Sequence, residues 1–520
     1  MHRRRPIYLG LVARWALIPP ANGVISAVWR SPPPAAKAIA TFAMKRYFVQ
    51  TFGCQMNVHD SRRIEEVLRG SGYQEATEPA LADLLIVNTC SVREKAEHKL
   101  MSLLGTFRPF KEGRRGTVLA VAGCVAQQEG ERLLKKAPFV DIVLGPDNIP
   151  ELPALIRNVD QGAPPVTRTQ FDMDDPQFLR AKPHADRREV TAYVTVMKGC
   201  DERCTFCIVP YTRGSERYRR ANEIVDEIRD LVAGGVREVT LLGQTVNSWH
   251  EPGEAAEAAK TQSKMAASTS QFAGLLRRIA REVPDLLRLR YTSPHPRHIT
   301  PALIAAHAEL GVLPAHVHLP VQSGSDRLLR RMARRYTADE YIARTDALKG
   351  AKPGLTLSAD FIVGFPGETD DDFEQTLDLI RRVGFVAAFG FKYSPRPYTP
   401  ALKLGNEVPE EVKDERLASL FALVETQQQA HLHSLVGQSL SVLVEGPSPG
   451  DTGRFAGRSE RNEIVHLIAP EGYDPTGELV TVMIDEPFRH SLSGCMSGAE
   501  ARQDRARRTR LSVVDAGGAS

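Results

Sequence analysis

The sequence predicts an α/β protein in three folded parts: an N-terminal parallel-sheet domain, a partial (β/α)6 barrel and a small C-terminal β-barrel. Three observations predict it. From Met44 onward, short apolar runs alternate with helical stretches, the pattern of a parallel sheet. Between residues 188 and 433 six such units follow one another, which suggests an incomplete relative of the eight-stranded barrel. From about residue 434 the texture changes to short β runs, "SLSVLVEG", "RFAGRS", "EIVHLIA" and "ELVTVMIDE", as in a small all-β unit.

Composition fits this reading. A chain of 520 residues suggests three or four domains. With 42% hydrophobic and 25% charged residues it has the make-up of an ordinary soluble protein. A net charge of +4 is small for this length, so any nucleic-acid binding has to come from local patches. Seven cysteines are too few for a disulfide scaffold and leave one over from pairing, which points to reduced thiols reserved for metal. No run of about 18 apolar residues occurs, so neither a transmembrane helix nor a membrane partner is expected.

Taken in order, residues 1–43 stand apart. The first 46 residues carry eight Lys and Arg and no Asp or Glu. Such a leader suits a mitochondrial transit peptide, and Arg14 inside the apolar stretch speaks against a secretory signal. The preferred reading is a mis-started or disordered leader, with Met44 as the true start directly before "RYFVQTFGC".

Residues 44–160 form the first domain. Three of its strands end alike: "YFVQTFGC" at Cys54, "DLLIVNTC" at Cys90 and "TVLAVAGC" at Cys124. The intervals of 36 and 34 residues are each about one βα repeat. Sites in such sheets form outside the carboxyl ends of the strands, so the three cysteines are expected to converge on one edge as a metal site. A fourth strand, "FVDIVLG", brings no cysteine, which leaves three protein ligands.

Residues 161–187, rich in proline and charge, read as a linker. The barrel, 188–433, has six candidate strands: "YVTVMKG", "EVTLLGQ", "LLRLRYTS", "HVHLPVQS", "LSADFIVGF" and "FGFKYS". Residues 250–271 look like a low-complexity surface insertion. After the first strand comes "KGCDERCTFC", with Cys200, Cys204 and Cys207 spaced C-x3-C-x2-C. On a helix the outer two would lie roughly 10.5 Å apart along the axis, too far for one small metal centre. Gly199, the β-branched residues and Pro210 favour a loop that folds three thiolates inward. Structural zinc takes four protein ligands, and this set is one short. Soft thiolates equally suit an iron–sulfur cluster, here with one iron open to a ligand that is not protein. Closing loops of about 35 residues costs on the order of 3 kcal/mol each, against roughly 1 kcal/mol for the tight spacing. The tight trio is therefore expected to capture a cluster even in a loosely folded chain, and the dispersed trio only once its domain has folded.

Residues 434–497 are the β unit, and 498–520, with "RARRTR", read as a disordered basic tail.

The stretches "QTFGCQMNVHDS", "NTCSVREKAEHK", "AGCVAQ", "CTFCIVPYTRG", "HLPVQSGSDRLLRRM" and "DFIVGFPGETDDDF" together resemble the radical S-adenosylmethionine (SAM) methylthiotransferases. The likeness is greatest to the MiaB-type tRNA branch and runs from about Met44 to near residue 497. It implies a radical SAM [4Fe–4S] cluster on Cys200, Cys204 and Cys207, whose open iron chelates SAM by its amino and carboxylate groups. Cleavage of SAM to a 5′-deoxyadenosyl radical would then remove hydrogen from an aromatic C–H, which no side-chain acid or base could do. A second [4Fe–4S] cluster on Cys54, Cys90 and Cys124 is implied to deliver or relay sulfur, and a second SAM the methyl group. No catalytic residue is assigned beyond these ligands.

The β unit resembles the TRAM domain, an RNA-binding barrel, with Arg454, Arg458, Arg461 and Arg489 as candidate phosphate contacts or, equally, a solvated surface. The basic helix 327–335 is similarly ambiguous. Arg213 in "PYTRG" faces either substrate or SAM, or makes a structural turn. In "IVGFPGETDDD", Gly364, Pro366 and Gly367 border the adenosyl group or form a plain turn, and Thr369 with Asp372 resembles a capping box. Cys495 has no counterpart in either trio and reads as an incidental thiol.

The resemblance implies a cytoplasmic, monomeric transferase in tRNA processing. It would methylthiolate C2 of N6-isopentenyladenosine 37 in a tRNA anticodon stem-loop, with electron donor and sulfur source left open. Relatives act instead on threonylcarbamoyladenosine in tRNA or on a ribosomal-protein aspartate; "GCQMN" and "CSVRE" look like the isopentenyladenosine branch. A non-catalytic iron–sulfur or zinc RNA-binding module is the reading from another class, and it leaves six barrel-like strands without a purpose.

Overall fold

The computed structural model describes residues 44–91, 96–114, 116–173, 178–180, 189–253, 270–450 and 453–496. The expected leader, the basic tail and most of the expected surface insertion lie outside the described residues.

The first domain alternates strand and helix: β1 (Arg46–Phe52), α1 (Gln55–Gly70), β2 (Gln74–Glu75), β3 (Leu84–Thr89), α2 (Ala96–Gly113), β4 (Val118–Gly123), α3 (Cys124–Glu129), α4 (Glu131–Lys136), β5 (Ile142–Leu144), α5 (Leu152–Asp160) and β6 (Val166–Arg168). The strands form one parallel sheet in the order β2-β1-β3-β4-β5-β6. Strands β3 and β4 are buried along their whole length, which is why they read as unbroken apolar runs. Separate apolar cores cover the two faces, one around Leu85, Leu104 and Val121, the other around Ile64, Ile86 and Leu152. The stretch read as linker is not all linker, because Val166–Arg168 pairs with β5 as a sixth strand. Three residues, none of them buried, are too few to show a period in the sequence.

The barrel follows: β7 (Thr191–Thr195), β8 (Met197–Lys198), α6 (Val209–Arg213), β9 (Arg217–Tyr218), α7 (Ala221–Ala233), β10 (Glu238–Leu242), α8 (Gln271–Glu282), β11 (Arg288–Tyr291), α9 (Pro301–Glu309), β12 (His316–His318), α10 (Asp326–Arg331), α11 (Ala338–Ala351), β13 (Thr356–Val363), α12 (Asp370–Val383), β14 (Ala387–Lys392) and α13 (Glu410–Ser434). Its six main strands run parallel as two three-stranded halves, β11-β10-β7 and β12-β13-β14. They share one large core that includes Val239, Leu289, Val317, Leu357 and Phe385. Each of the six predicted barrel strands is present. The short β8–β9 hairpin, antiparallel, carries the loop of Cys200, Cys204 and Cys207 away from β7.

The last unit is a closed barrel of five strands, β15 (Ser439–Pro447), β16 (Phe455–Ser459), β17 (Ile464–Ile468), β18 (Leu479–Pro487) and β19 (Ser491–Met496), in the order β15-β16-β17-β19-β18. Arg288 of β11, nearly fully buried, donates to the backbone oxygens of Arg458, Ser459 and Ser441, and so holds this unit against the larger barrel.

Candidate functional site: two cysteine trios on strand ends

The sheet register assembles the first trio. Thr89 pairs with Gly123, so Cys90 and Cys124 step off β3 and β4 side by side. Phe52 pairs with Thr89, so Gly53 lies level with Cys90 and Cys54 stands at the start of α1. Two glycines make this approach possible. Gly53 has φ +145, and a Cβ there would meet Cys90 Cβ at 2.7 Å. Gly123 has φ +93, and a Cβ would meet the Thr89 backbone oxygen at 2.5 Å.

Beneath the trio lies a polar network that the sequence reading missed. Asn88 donates to the Asn57 backbone oxygen (2.9 Å) and to Ser61 Oγ (2.8 Å), while Asn57 Oδ1 accepts from the Cys54 N–H at 3.3 Å. It ties the start of α1 to the end of β3. The available signal was an asparagine, followed by threonine, at the end of an apolar run, "LLIVNT". The Cys54 thiol is shifted down to about 6, chiefly by its hydrogen bond with Cys90, with Asn57 and Arg213 helping against burial. Burial pushes the Cys124 thiol up.

The second trio hangs off β7. Gly199 has φ +78 and lets the chain turn against Ser215. The loop is then held by four hydrogen bonds from three segments: Cys200 N–H donates to the Gly214 oxygen (3.1 Å), Thr205 N–H to the Met332 oxygen (3.0 Å), Thr205 Oγ1 to the Arg331 oxygen (2.9 Å), and Ala401 N–H to the Thr205 oxygen (2.9 Å). Cys200 Sγ lies 3.0 Å from Thr245 Oγ1, just past the end of β10, and Arg334 Nη1 lies 3.5 Å from Cys204 Sγ. Burial raises the Cys200 thiol to about 11 and, together with Cys204, the Cys207 thiol to about 12. Without a metal these two sulfurs keep their protons at neutral pH, so a metal that binds here has to displace them. None of the seven cysteines is in a disulfide.

Arg334 settles the question of the basic stretch 327–335. The helix ends at Arg331, Ala333 and Arg335 take positive φ, and Arg334 turns inward to Cys204, the Pro320 oxygen and Tyr336. Arg327 pairs with Asp372, and Arg331 donates to the Pro366 oxygen. The stretch braces the cysteine loop.

Among the described residues, the buried polar atoms near this trio without a hydrogen-bond partner include Glu202 Oε2 in the loop itself, Gln244 Oε1, beside Thr245, and Nε2 of His295, beyond the end of β11. His295 Nδ1 accepts from the Arg297 N–H, so its Nε2 carries the proton and is a donor. Glu202 and His298 lie within 4.8 Å of His295. In this group Glu202 Oε1 already takes Arg297 and His298, and the His295 nitrogen offers a hydrogen. Next to Cys207 a cleft of about 340 Å³ opens between the strand ends. Phe206, Ile208, Ile362, Phe391 and Leu417 give it apolar walls, with Gln322, Asp360 and Arg396 as polar points.

Residues 46–145 match the uncharacterized protein family UPF0004, and residues 194–380 match the Radical SAM superfamily. The tRNA-2-methylthio-N(6)-dimethylallyladenosine synthase of Sorangium cellulosum is 58% identical over 468 residues, 88% of this chain and 94% of that protein. The enzyme of the same name from Acidithiobacillus ferrooxidans is 46% identical, over 87% of this chain and 97% of its own. That of Maricaulis maris is 45% identical, over 88% and 98%. The chain belongs to this family of MiaB-type radical SAM methylthiotransferases.

The other candidate residues of this methylthiotransferase fall as follows. Thr369 and Asp372 do form a capping box at α12, with bonds of 2.8 and 3.3 Å, and the turn after β13 is closed by Gly364 N–H donating to Glu368. In the small barrel Arg458 pairs with Glu445 (3.2 Å), Arg489 with Glu425 of α13 (2.7 Å), and Arg454 donates to Ser493. Cys495 sits in β19 with its sulfur 4.0 Å from Asp485, apart from both trios. Arg213 faces the first trio, the one on the sheet edge, and not the cleft beside the second. Among the described residues no helix is long and apolar enough to cross a membrane.

Proposed function

We propose that this chain installs a methylthio group at C2 of N6-isopentenyladenosine 37 in tRNA, with a [4Fe–4S] cluster on each trio. One observation carries the reading: two separate sets of three cysteines, each gathered at carboxyl strand ends, one of them on the rim of an apolar cleft. Three soft donors per site leave a fourth position for a ligand that is not protein.

The residues around Cys200, Cys204 and Cys207 fit SAM. The orphan acceptor Gln244 Oε1 suits its ammonium, and the orphan donor His295 Nε2–H, with Arg334 nearby, suits its carboxylate. Bound there, SAM supplies hydrogen-abstracting one-electron chemistry that no side chain can. The chain's own part is placement. Thr245 and Arg334 fix the sulfur positions, and Phe206, partly buried, packs against the cluster of Leu328, Met332 and Phe365. Ile208, Ile362, Phe391 and Leu417 offer a dry wall suited to a prenyl chain and the face of a purine. Cys54, Cys90 and Cys124 would hold the cluster that delivers or relays sulfur. We infer that the small barrel binds the anticodon stem-loop and that the enzyme works in the cytoplasm as a monomer, where its substrate is.

The test is nucleoside analysis of tRNA from cells lacking this chain. Accumulation of the isopentenyl precursor supports the proposal, and a normal methylthio content overturns it. In vitro, Cys204→Ala should abolish formation of 5′-deoxyadenosine, whereas Cys90→Ala should spare part of it and stop sulfur insertion. Equal loss in both, with the remaining cluster retained, would refute this division of labour.

A further inference from the structure

One short segment touches both trios. Helix α6 begins just after Cys207 and ends in Arg213. The next residue, Gly214, accepts the N–H of Cys200 at 3.1 Å, so this end of the segment fixes the trio in the barrel. Arg213 points the other way. It is 6% exposed, and its Nη2 donates to Asp60 Oδ2 at 2.6 Å. Asp60 belongs to α1, the helix that starts at Cys54. Helix α3, whose first residue is Cys124, packs against α6. The guanidinium acts on the sulfurs of Cys124 and Cys54 as well as on Asp60. A second arginine fixes its backbone, since Arg217 donates to the Arg213 oxygen at 2.6 Å while also pairing with Asp147.

A buried cation needs an anion, and Asp60 alone would meet that need. What calls for more is the position. Charges on the trio would be desolvated too, because Cys90 and Cys124 are 1% and 5% exposed. Arg213 acts on both the Cys54 and the Cys124 thiol, lowering each against burial. An arginine offers five donors in a fixed fork, so it can hold Asp60 with one edge and serve sulfur with another.

We propose that Arg213 is a positioning residue of the sheet-edge trio, supplied by the barrel: it holds the negative charge of a cluster on Cys54, Cys90 and Cys124, and links that site to the loop of Cys200. This rests on the reading that the sheet-edge trio carries a cluster. Asp60 orients the guanidinium. The sheet domain alone then has an incomplete site, and the two clusters are joined by a bridge of fourteen residues from Cys200 to Arg213.

The test uses the full chain with Cys200, Cys204 and Cys207 all changed to alanine, so that only the sheet-edge cluster is seen after anaerobic reconstitution with iron and sulfide. Iron release to a chelator, the electron paramagnetic resonance spectrum of the reduced cluster and its midpoint potential are compared across variants. Arg213→Gln should release iron about 10- to 100-fold more readily, the usual loss when a group that supports metal ligands is removed, and should lower the midpoint potential. Arg213→Lys, which keeps the charge without the fork, should fall between. The deciding variant is Arg213→Gln with Asp60→Asn. It removes both partners of the buried pair and so spares the fold the cost of an unpaired charge. It should release iron as readily as Arg213→Gln alone. If it recovers the parent's iron retention and potential, Arg213 serves only Asp60 and the proposal is overturned. Unchanged retention and potential in Arg213→Gln would overturn it too. If the parent chain binds no iron at all, the cluster reading itself fails and takes this proposal with it.

Discussion

Replacing Gly199 by alanine should damage the cluster site in the barrel more than the one on the sheet edge. The residue has φ +78, a conformation that costs an L-residue roughly 1–2 kcal/mol. A Cβ there would lie 1.9 Å from the Ser215 backbone oxygen and 2.6 Å from that of Gly214, where real Cβ atoms stay beyond 3.0 Å. Neither oxygen can swing aside as a side chain would. Gly214 is moreover the acceptor for Cys200 N–H, so relief of the clash pulls on the bond that fixes the first ligand. Roughly 1 Å of backbone motion has to be found, with a packing cost of about 1–3 kcal/mol. Together the two effects come to about 2–5 kcal/mol, concentrated next to Cys200. The assay is iron and sulfide content after anaerobic reconstitution, alongside urea unfolding. About half of the bound iron should be lost, chiefly from the barrel trio. Gly274→Ala is the control, because that position is helical and a Cβ there meets nothing within 4 Å, so stability should hold or rise by about 0.5–1 kcal/mol. Full iron content and an unchanged unfolding midpoint in Gly199→Ala would refute the reasoning.

Three further outcomes are expected. Thr369→Ala removes the cap of α12 and should cost about 1 kcal/mol, read as a lower urea midpoint at constant slope. His307, 1% exposed and hydrogen-bonded to Tyr291 at 2.7 Å, is held neutral by burial with its pKa lowered to about 4. The unfolded chain takes up this proton below about pH 6.5, so stability should fall as pH drops from about 6.5 to 4 and then level off, by about 3 kcal/mol at most. His307→Phe should flatten that limb, and an unchanged pH profile would refute the assignment. For the small barrel, a double Arg454→Gln, Arg461→Gln change should lower the slope of log affinity for tRNA against log salt by about 1 to 2 if both reach phosphate; an unchanged slope would leave them as surface residues.

Much of this was legible in the sequence because it is periodic or punctuated. Apolar runs ending in Gly-Cys or Thr-Cys marked the strand ends, and the parallel register then had to bring Cys54, Cys90 and Cys124 together. What stayed hidden depends on contacts between distant elements. Arg213 sits two residues from Tyr211, which is exposed, and nothing local says which of them turns inward. Arg334 is one of five arginines within nine residues, and only the positive φ of its neighbours Ala333 and Arg335 singles it out. Strand β6 was hidden because three half-buried residues carry no pattern.

The expected contrast between the two sites also changes. Loop closure alone gives the tight trio an advantage of about 2 kcal/mol per loop, and suggests that it captures a cluster in a loosely folded chain. Yet the groups that touch its sulfurs come from Thr245 and Arg334, and its backbone is held by residues as far away as Ala401. Short spacing makes the trio easy to gather. It does not place the trio at the mouth of the cleft. That placement requires β10, α10 and the segment after β14 to be in position, just as the sheet-edge trio requires β1, β3 and β4. Both sites are therefore products of tertiary structure. The bond from Cys200 to Gly214 lies within the barrel, whereas the bond from Arg213 to Asp60 crosses between the domains, so Arg213 reaches the sheet-edge trio only once the two domains have met.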